Sequence, residues 1–282
     1  MKWQGRRESR NIEDRRGRST TRAAGGIGGV GLVAVLVIGY FLGIDVTPLL
    51  QNQDGGQMVA SSEMTAEDKS AGQFVSVTLA DTEEVWAQVF KEQLGRPYTP
   101  ATLVLFKGVT QSPCGGASGA SGPFYCPGDN KAYLDTDFFV TLERQLGAKG
   151  DFAAAYVVAH EIAHHVQSEL GILARANEVR ATVSATESNA ISVRIELQAD
   201  CLAGIWARGA QEKFGSIDRG DLEEAINAAR QIGDDTLQRN AGKRPNPHSF
   251  THGTSEQRSR WFVTGYQSGE LRSCDTFSTN NL

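Results

Sequence analysis

Val157 to Gln167 reads VVAHEIAHHVQ and holds three of the five histidines in the chain, with Glu161 between two of them. On an α-helix His160 and His164 stand one turn apart on the same face, the spacing at which two imidazoles hold one zinc. Glu161 is turned by about 100° from His160, so it is poorly placed as a ligand but can reach a water on the ion. The same stretch decides the architecture. Ala155, Val158, Ile162 and Val166 supply a face to bury, and the pattern predicts a core helix over Phe152 to Leu170, with Asp151 as N-cap and Gly171 as its end. A chance H-E-x-x-H arises in a chain of this composition on the order of once in a hundred. A third ligand and a suitable compartment are therefore required.

Working outward, Ile195 to Ala207 reads IELQADCLAGIWA. Glu196 and Asp200 share a helix face, and Leu197, Leu202, Ile205 and Trp206 give that helix apolar contacts. An acidic pair at this spacing is ordinarily a solvated face, but here its neighbours are Leu, Ala and Ile rather than Lys and Arg. One carboxylate can complete a two-His, one-Glu site with an open position, while the other holds a ligand histidine by its free ring N–H.

His160-Glu161-Ile162-Ala163-His164 followed by Glu196-Leu197-Gln198-Ala199-Asp200 resembles the gluzincin metallopeptidases. More closely, KWQGRRES at Lys2 to Ser9, HEIAHHVQ at His160 to Gln167, ELQADCLAG at Glu196 to Gly204 and FTHGTSEQR at Phe250 to Arg258 resemble the bacterial neutral zinc metallopeptidase family. Metzincins are excluded, because their longer motif needs Gly and His where this chain has Gln167 and Leu170. The resemblance implies Glu196 as third zinc ligand and Asp200 as the partner of a ligand histidine. His252 and Arg258 are similar to the T-H-P-x-x-x-x-R stretch of integral-membrane gluzincins, except that Gly253 stands in place of proline. His252 is then a donor to the developing oxyanion, and Arg258, the candidate for contact with substrate or transition state, a binder of a carboxylate near the site. His165 and His248 read as surface or packing residues.

Charge is unevenly distributed. The chain of 282 residues carries −5 overall, whereas residues 1–22 contain eight Lys or Arg against three acids, leaving −10 on the remainder. That balance excludes a nucleic-acid-binding main domain. Ala23 to Ile44 is a run of 22 uncharged residues, roughly 33 Å as a helix and enough for one bilayer crossing. A cleaved signal peptide is the competing reading, but its apolar region is usually about 7 to 15 residues, and no A-x-A-like site follows this one. The preceding basic residues predict a cytoplasmic N-terminus and an extracytoplasmic remainder. Trp3 is not explained by this reading. Residues 45–73, polar and acidic, read as a tether.

In the outward domain, Val85, Trp86, Val89 and Phe90 predict a helix within Phe74 to Leu94, with Asp81 and Glu84 resembling its start. Ala101 to Phe106 suits a strand. Lys131 to Asp135 alternates like an edge strand, which in a peptidase can pair with an extended substrate. Asp221 to Arg239 reads as one further helix. Four cysteines in an exported domain imply disulfides, and none has C-x-x-C spacing. Cys114 and Cys126 flank a Gly- and Ser-rich loop and are paired on that ground, which leaves Cys201 with Cys274.

The expected architecture is an α+β, zincin-like domain at residues 74–282, mainly helical with a small sheet, behind a basic segment (1–22), one transmembrane helix (23–44) and a linker (45–73). The expected function is a zinc-dependent endopeptidase of the bacterial inner membrane, acting on a peptide or protein on the extracytoplasmic side. Glu161 is its base, and His160, His164 and Glu196 hold the zinc. The alternative is a zinc-stabilised envelope binding or adaptor protein without turnover.

Overall fold

The computed structural model describes residues 1–17, 64–118, 122–144 and 146–282. Among them are eight α-helices and six short strands, a mainly helical α+β arrangement with a small mixed sheet. The predicted transmembrane stretch 23–44 lies outside the described residues. Within them, no helix is long and apolar enough to cross a membrane.

The sheet runs in the order β1 (Ile12–Asp14), β2 (Thr102–Phe106), β6 (Lys131–Asp135), β5 (Phe124–Cys126). β1, β2 and β6 are parallel, and β5 is antiparallel to β6. β3 (Val109–Ser112) and β4 (Gly115–Ser118) form a separate hairpin. The expected edge strand Lys131–Asp135 is therefore interior, paired on both sides. Its alternation fails to report this, because Ala132, Tyr133, Leu134 and Asp135 are all buried, two on each face. The edge beside the helices is β5.

α1 spans Ala66–Val89 and opens with a reciprocal cap, in which Thr65 Oγ1 accepts from the Asp68 N–H and the Asp68 carboxylate accepts from the Thr65 N–H. It begins inside the expected linker, and Asp81 is not its start: Asp81 lies mid-helix, buried, under the guanidinium of Arg6. The expectation that residues 1–22 are a detached basic segment is corrected for residues 1–17. These contribute strand β1, and Trp3 packs edge-to-face on Phe74 of α1 with centroids 5.5 Å apart. Basic residues here find carboxylates on the domain, which composition alone does not reveal.

After α2 (Phe138–Arg144), the H-E-x-x-H helix is α3, Asp151–Glu169, close to its predicted limits; Gly150 rather than Asp151 is its N-cap. Most of α3 is buried around its whole circumference. α4 (Ile172–Arg180) follows, then α5 (Ala185–Phe214), capped by Ser184 and Glu187. Phe152 of α3 stacks on Trp206 of α5 at 5.8 Å. The expected helix Asp221 to Arg239 is two helices, α6 (Asp221–Gln231) and α7 (Asp234–Asn240), broken at Gly233, whose backbone is extended (φ −69°, ψ 139°) and lies too close to the backbone of Ser255 for any Cβ.

The last helix, α8 (Ser255–Ser268), presses directly on α5. Gly204 faces the Phe262 carbonyl and Gly265 the Cys201 carbonyl, with no room for a Cβ at either position. Both expected disulfides, Cys114–Cys126 and Cys201–Cys274, are formed. The second ties the C-terminal turn to α5.

Candidate metal centre

α3 and α5 cross so that one turn of each supplies the site. His160 Nε2 lies 3.1 Å from Glu196 Oε2, and His164 Nε2 lies 3.6 Å from Glu196 Oε1. One ligand atom from each of the three falls within 4.8 Å of the others. Ligands at the usual zinc distances of about 2.0–2.2 Å on a tetrahedron stand about 3.3 Å apart, so the spacing and the N, N, O donor set both fit zinc.

The rings are aimed from behind. His160 Nδ1 is 2.9 Å from Asp200 Oδ1, and His164 Nδ1 is 2.8 Å from Gln167 Oε1. Both partners accept, so each Nδ1 carries a proton, which leaves the Nε2 atoms on the Glu196 side as the ones that would bind a metal. The orientation of the Gln167 amide follows from its other bonds: Nε2 donates to the Ile195 carbonyl at 2.8 Å and to Gln198 Oε1 at 2.9 Å.

Asp200 is fully buried and multiply held. Tyr156 Oη donates to its Oδ1, while Arg258 Nε and Nη2 donate to Oδ2 and Oδ1 at 2.8 and 3.0 Å. Arg258 is itself only 2 % exposed. The expectation that Arg258 meets a substrate carboxylate is thereby corrected, since its carboxylate is Asp200. The close α5–α8 contact at the two glycines makes this reach possible.

Charge in the cluster is strongly coupled. Burial pulls the His160 pKa down, but the neighbouring Asp200 and Glu196 carboxylates overcome it and hold the group up at about 10. Burial pushes Glu196 upward, yet His164, His252 and His160 together hold it well below the usual carboxylate range. Glu161, 8 % exposed, is raised by burial against the lowering influence of His164 and His160. Among the described residues no hydrogen-bond partner engages its carboxylate.

A cleft of about 230 Å³ beside Glu196 is lined by Arg180, Ser192, Ile195, Glu196, Thr251 and His252. His252 is half exposed at its rim, with Nδ1 3.4 Å from Asp234 Oδ1. Sequence reasoning missed Asp234, whose Oδ2 accepts from the backbone N–H groups of Thr251, His252 and Gly253 at 2.7 to 3.0 Å. Its position at the start of α7 carries no signal for that turn. Gly253 has φ +89°, a value closed to proline, so the turn here differs from one built on T-H-P. Gln167 was likewise missed, although its place three residues after His164 on a helix is a readable signal. His165 is a packing residue, bonded to Tyr125 Oη and the Thr99 carbonyl, and His248 is exposed.

A family model described as "Putative neutral zinc metallopeptidase" matches residues 1–277, and the chain belongs to that family. It is 46% identical over 286 residues to "Uncharacterized protein YpfJ" of Escherichia coli K12, covering 98% of this chain and 99% of that one. It is 43% identical over 222 residues to "Uncharacterized protein Rv2575" of Mycobacterium tuberculosis H37Rv, covering 75% of this chain and 74% of the relative. No solved structure matches the chain.

Proposed function

We propose that the protein is a membrane-attached, zinc-dependent endopeptidase of the bacterial envelope with a zincin-like site. The observation that carries this reading is the convergence of two histidine Nε2 atoms and the Glu196 carboxylate within 4.8 Å, beside a buried glutamate whose carboxylate has no hydrogen-bond partner among the described residues. In it His160, His164 and Glu196 hold zinc, which supplies Lewis acidity that acidifies water and polarises a carbonyl. Glu161, whose pKa burial raises, takes the proton of the attacking water and returns it to the leaving amine. His252, with Nδ1 turned toward Asp234, offers Nε2 to the developing oxyanion at the cleft rim. Asp200 and Gln167 fix the two ligand rings, and Arg258 and Tyr156 fix Asp200. The substrate is an extended peptide, for which β5, the edge strand of the sheet among the described residues, offers a pairing strand.

The two disulfides and the apolar stretch 23–44 support an oxidising, membrane-bounded compartment. A zinc-stabilised adaptor has no use for an unpartnered buried base. Glu161→Gln separates the readings: it keeps one zinc per chain and loses hydrolysis, scored by comparing envelope protein fragments from cells carrying each form. Cellular function that survives Glu161→Gln would falsify the enzyme reading, and metal content well below one zinc per chain would sink the site itself.

A further inference from the structure

The flanks of the apolar stretch 23–44 belong to one folded body. β1 is held by its sheet partner: Leu103 N–H donates to the Asn11 carbonyl and Arg15 N–H to the Leu105 carbonyl, each at 2.8 Å. Ser9 exchanges bonds with Ser76, its N–H donating to the Ser76 carbonyl at 3.0 Å and Ser76 Oγ to its own carbonyl at 3.1 Å. Arg6 forks onto the buried Asp81 with both bonds at 2.7 Å. The Arg16 guanidinium fills the space over Gly72 that any Cβ would need, and donates to the Asp68 carbonyl. This is the packing of an integral strand and its lead-in.

The basic residues point the same way. Of the six in residues 1–17, five are in ion pairs: Lys2 with Asp218, Arg6 with Asp81, Arg7 with Glu83 and Glu84, Arg15 with Glu13, and Arg16 with Asp14. Three of these, Lys2, Arg6 and Arg7, pair with carboxylates of the domain, so charge that a positive-inside count assigns to orientation is in part engaged in docking the segment. The exit and re-entry points also coincide, since a Cβ on Gly17 would lie 3.9 Å from Met64 Cγ.

Between two flanks of one body, a chain crosses a bilayer an even number of times. The 22 uncharged residues suffice for one helical crossing, and two need about 40 apolar residues. The even number is zero. We propose that residues 1–17 and 64–282 lie on the same side of the membrane. The end of the domain carrying Gly17 and Met64 then faces the bilayer. This replaces the single crossing expected from the sequence. It rests on the membrane attachment proposed above, but on neither the metal nor the chemistry.

Single cysteines test it in the full-length protein, at exposed positions on either flank: Gln4→Cys or Arg10→Cys, and Arg244→Cys. A membrane-impermeant maleimide is applied to intact spheroplasts and to lysed membranes. The expected result is that both flanks react alike before lysis, and equally so in a Glu161→Gln background. Reaction of Arg244→Cys with both N-terminal cysteines protected until lysis would overturn the proposal. Fractionation separates its failure from that of the site: a protein absent from membranes, yet binding zinc, loses the anchor and keeps the enzyme reading.

Discussion

The two ligand histidines sit one turn apart on α3 and are aimed in different ways. His160 is held by a charge, Asp200, itself clamped by Arg258 and Tyr156 where neither ionic partner is more than 2 % exposed. His164 is held by a neutral amide, Gln167, whose remaining donors run to the Ile195 carbonyl and to Gln198, which in turn donates to the Cys274 carbonyl. A buried ion pair costs desolvation and must be complete to be tolerable, whereas an amide relay has little to lose beyond its hydrogen bonds. The first support is thus brittle and the second forgiving.

Asp200→Ala breaks the brittle side most severely. It strands the Arg258 guanidinium in the core, so a loss of about 3–5 kcal/mol is expected in denaturant unfolding, with zinc affinity in a chelator competition falling about 10- to 100-fold. An unfolding curve that matches wild type would show that the Asp200–Arg258 pair is not the linchpin described.

The next effect is a pH dependence confined to chelator-stripped protein. The His160 pKa, about 10 when folded against a reference of 6.5, is raised. Protonated His160 therefore contributes stability that is fully present below pH 6.5 and lost as pH rises through about 10. Melting temperature followed over that range should decline in wild type and stay flatter in Asp200→Asn. Equal slopes would remove Asp200 as the cause.

Gly265→Ala touches no site residue but forces α8 away from the Cys201 carbonyl, and with it Arg258 from Asp200. Overpacking of this kind costs about 1–3 kcal/mol, and activity should fall along with stability. Unchanged activity at reduced stability would uncouple the helix contact from the His160 support.

The smallest effect belongs to the forgiving side. Gln167→Ala should cost about 1 kcal/mol in stability and about tenfold in zinc affinity. A loss as large as that of Asp200→Ala would erase the distinction between the two supports.

Local periodicity made part of this legible. The limits of α3 and the common face of His160 and His164 follow from helical geometry, and both disulfide pairs were anticipated. Arg258 was noticed for the right chemistry, a carboxylate partner, and given the wrong one, because spacing along a chain does not say whether a carboxylate belongs to substrate or core. Residues 1–17 were misread for a related reason. Net charge reports how many basic residues there are, not that Asp81, Glu83, Glu84 and Asp218 wait for them elsewhere in the fold.

What the amino-acid order determined by itself was each helix carrying chemistry and the donor set on it, since a 3.6-residue repeat converts i, i+4 spacing into a shared face. Only the tertiary structure decided that Tyr156 and Arg258 clamp Asp200 and that strand β1 belongs to the sheet. Those facts rest on contacts between residues far apart in the chain, as in Asp200 with Tyr156, 44 positions away, and with Arg258, 58 away, where no local rule operates and packing alone chooses the partner.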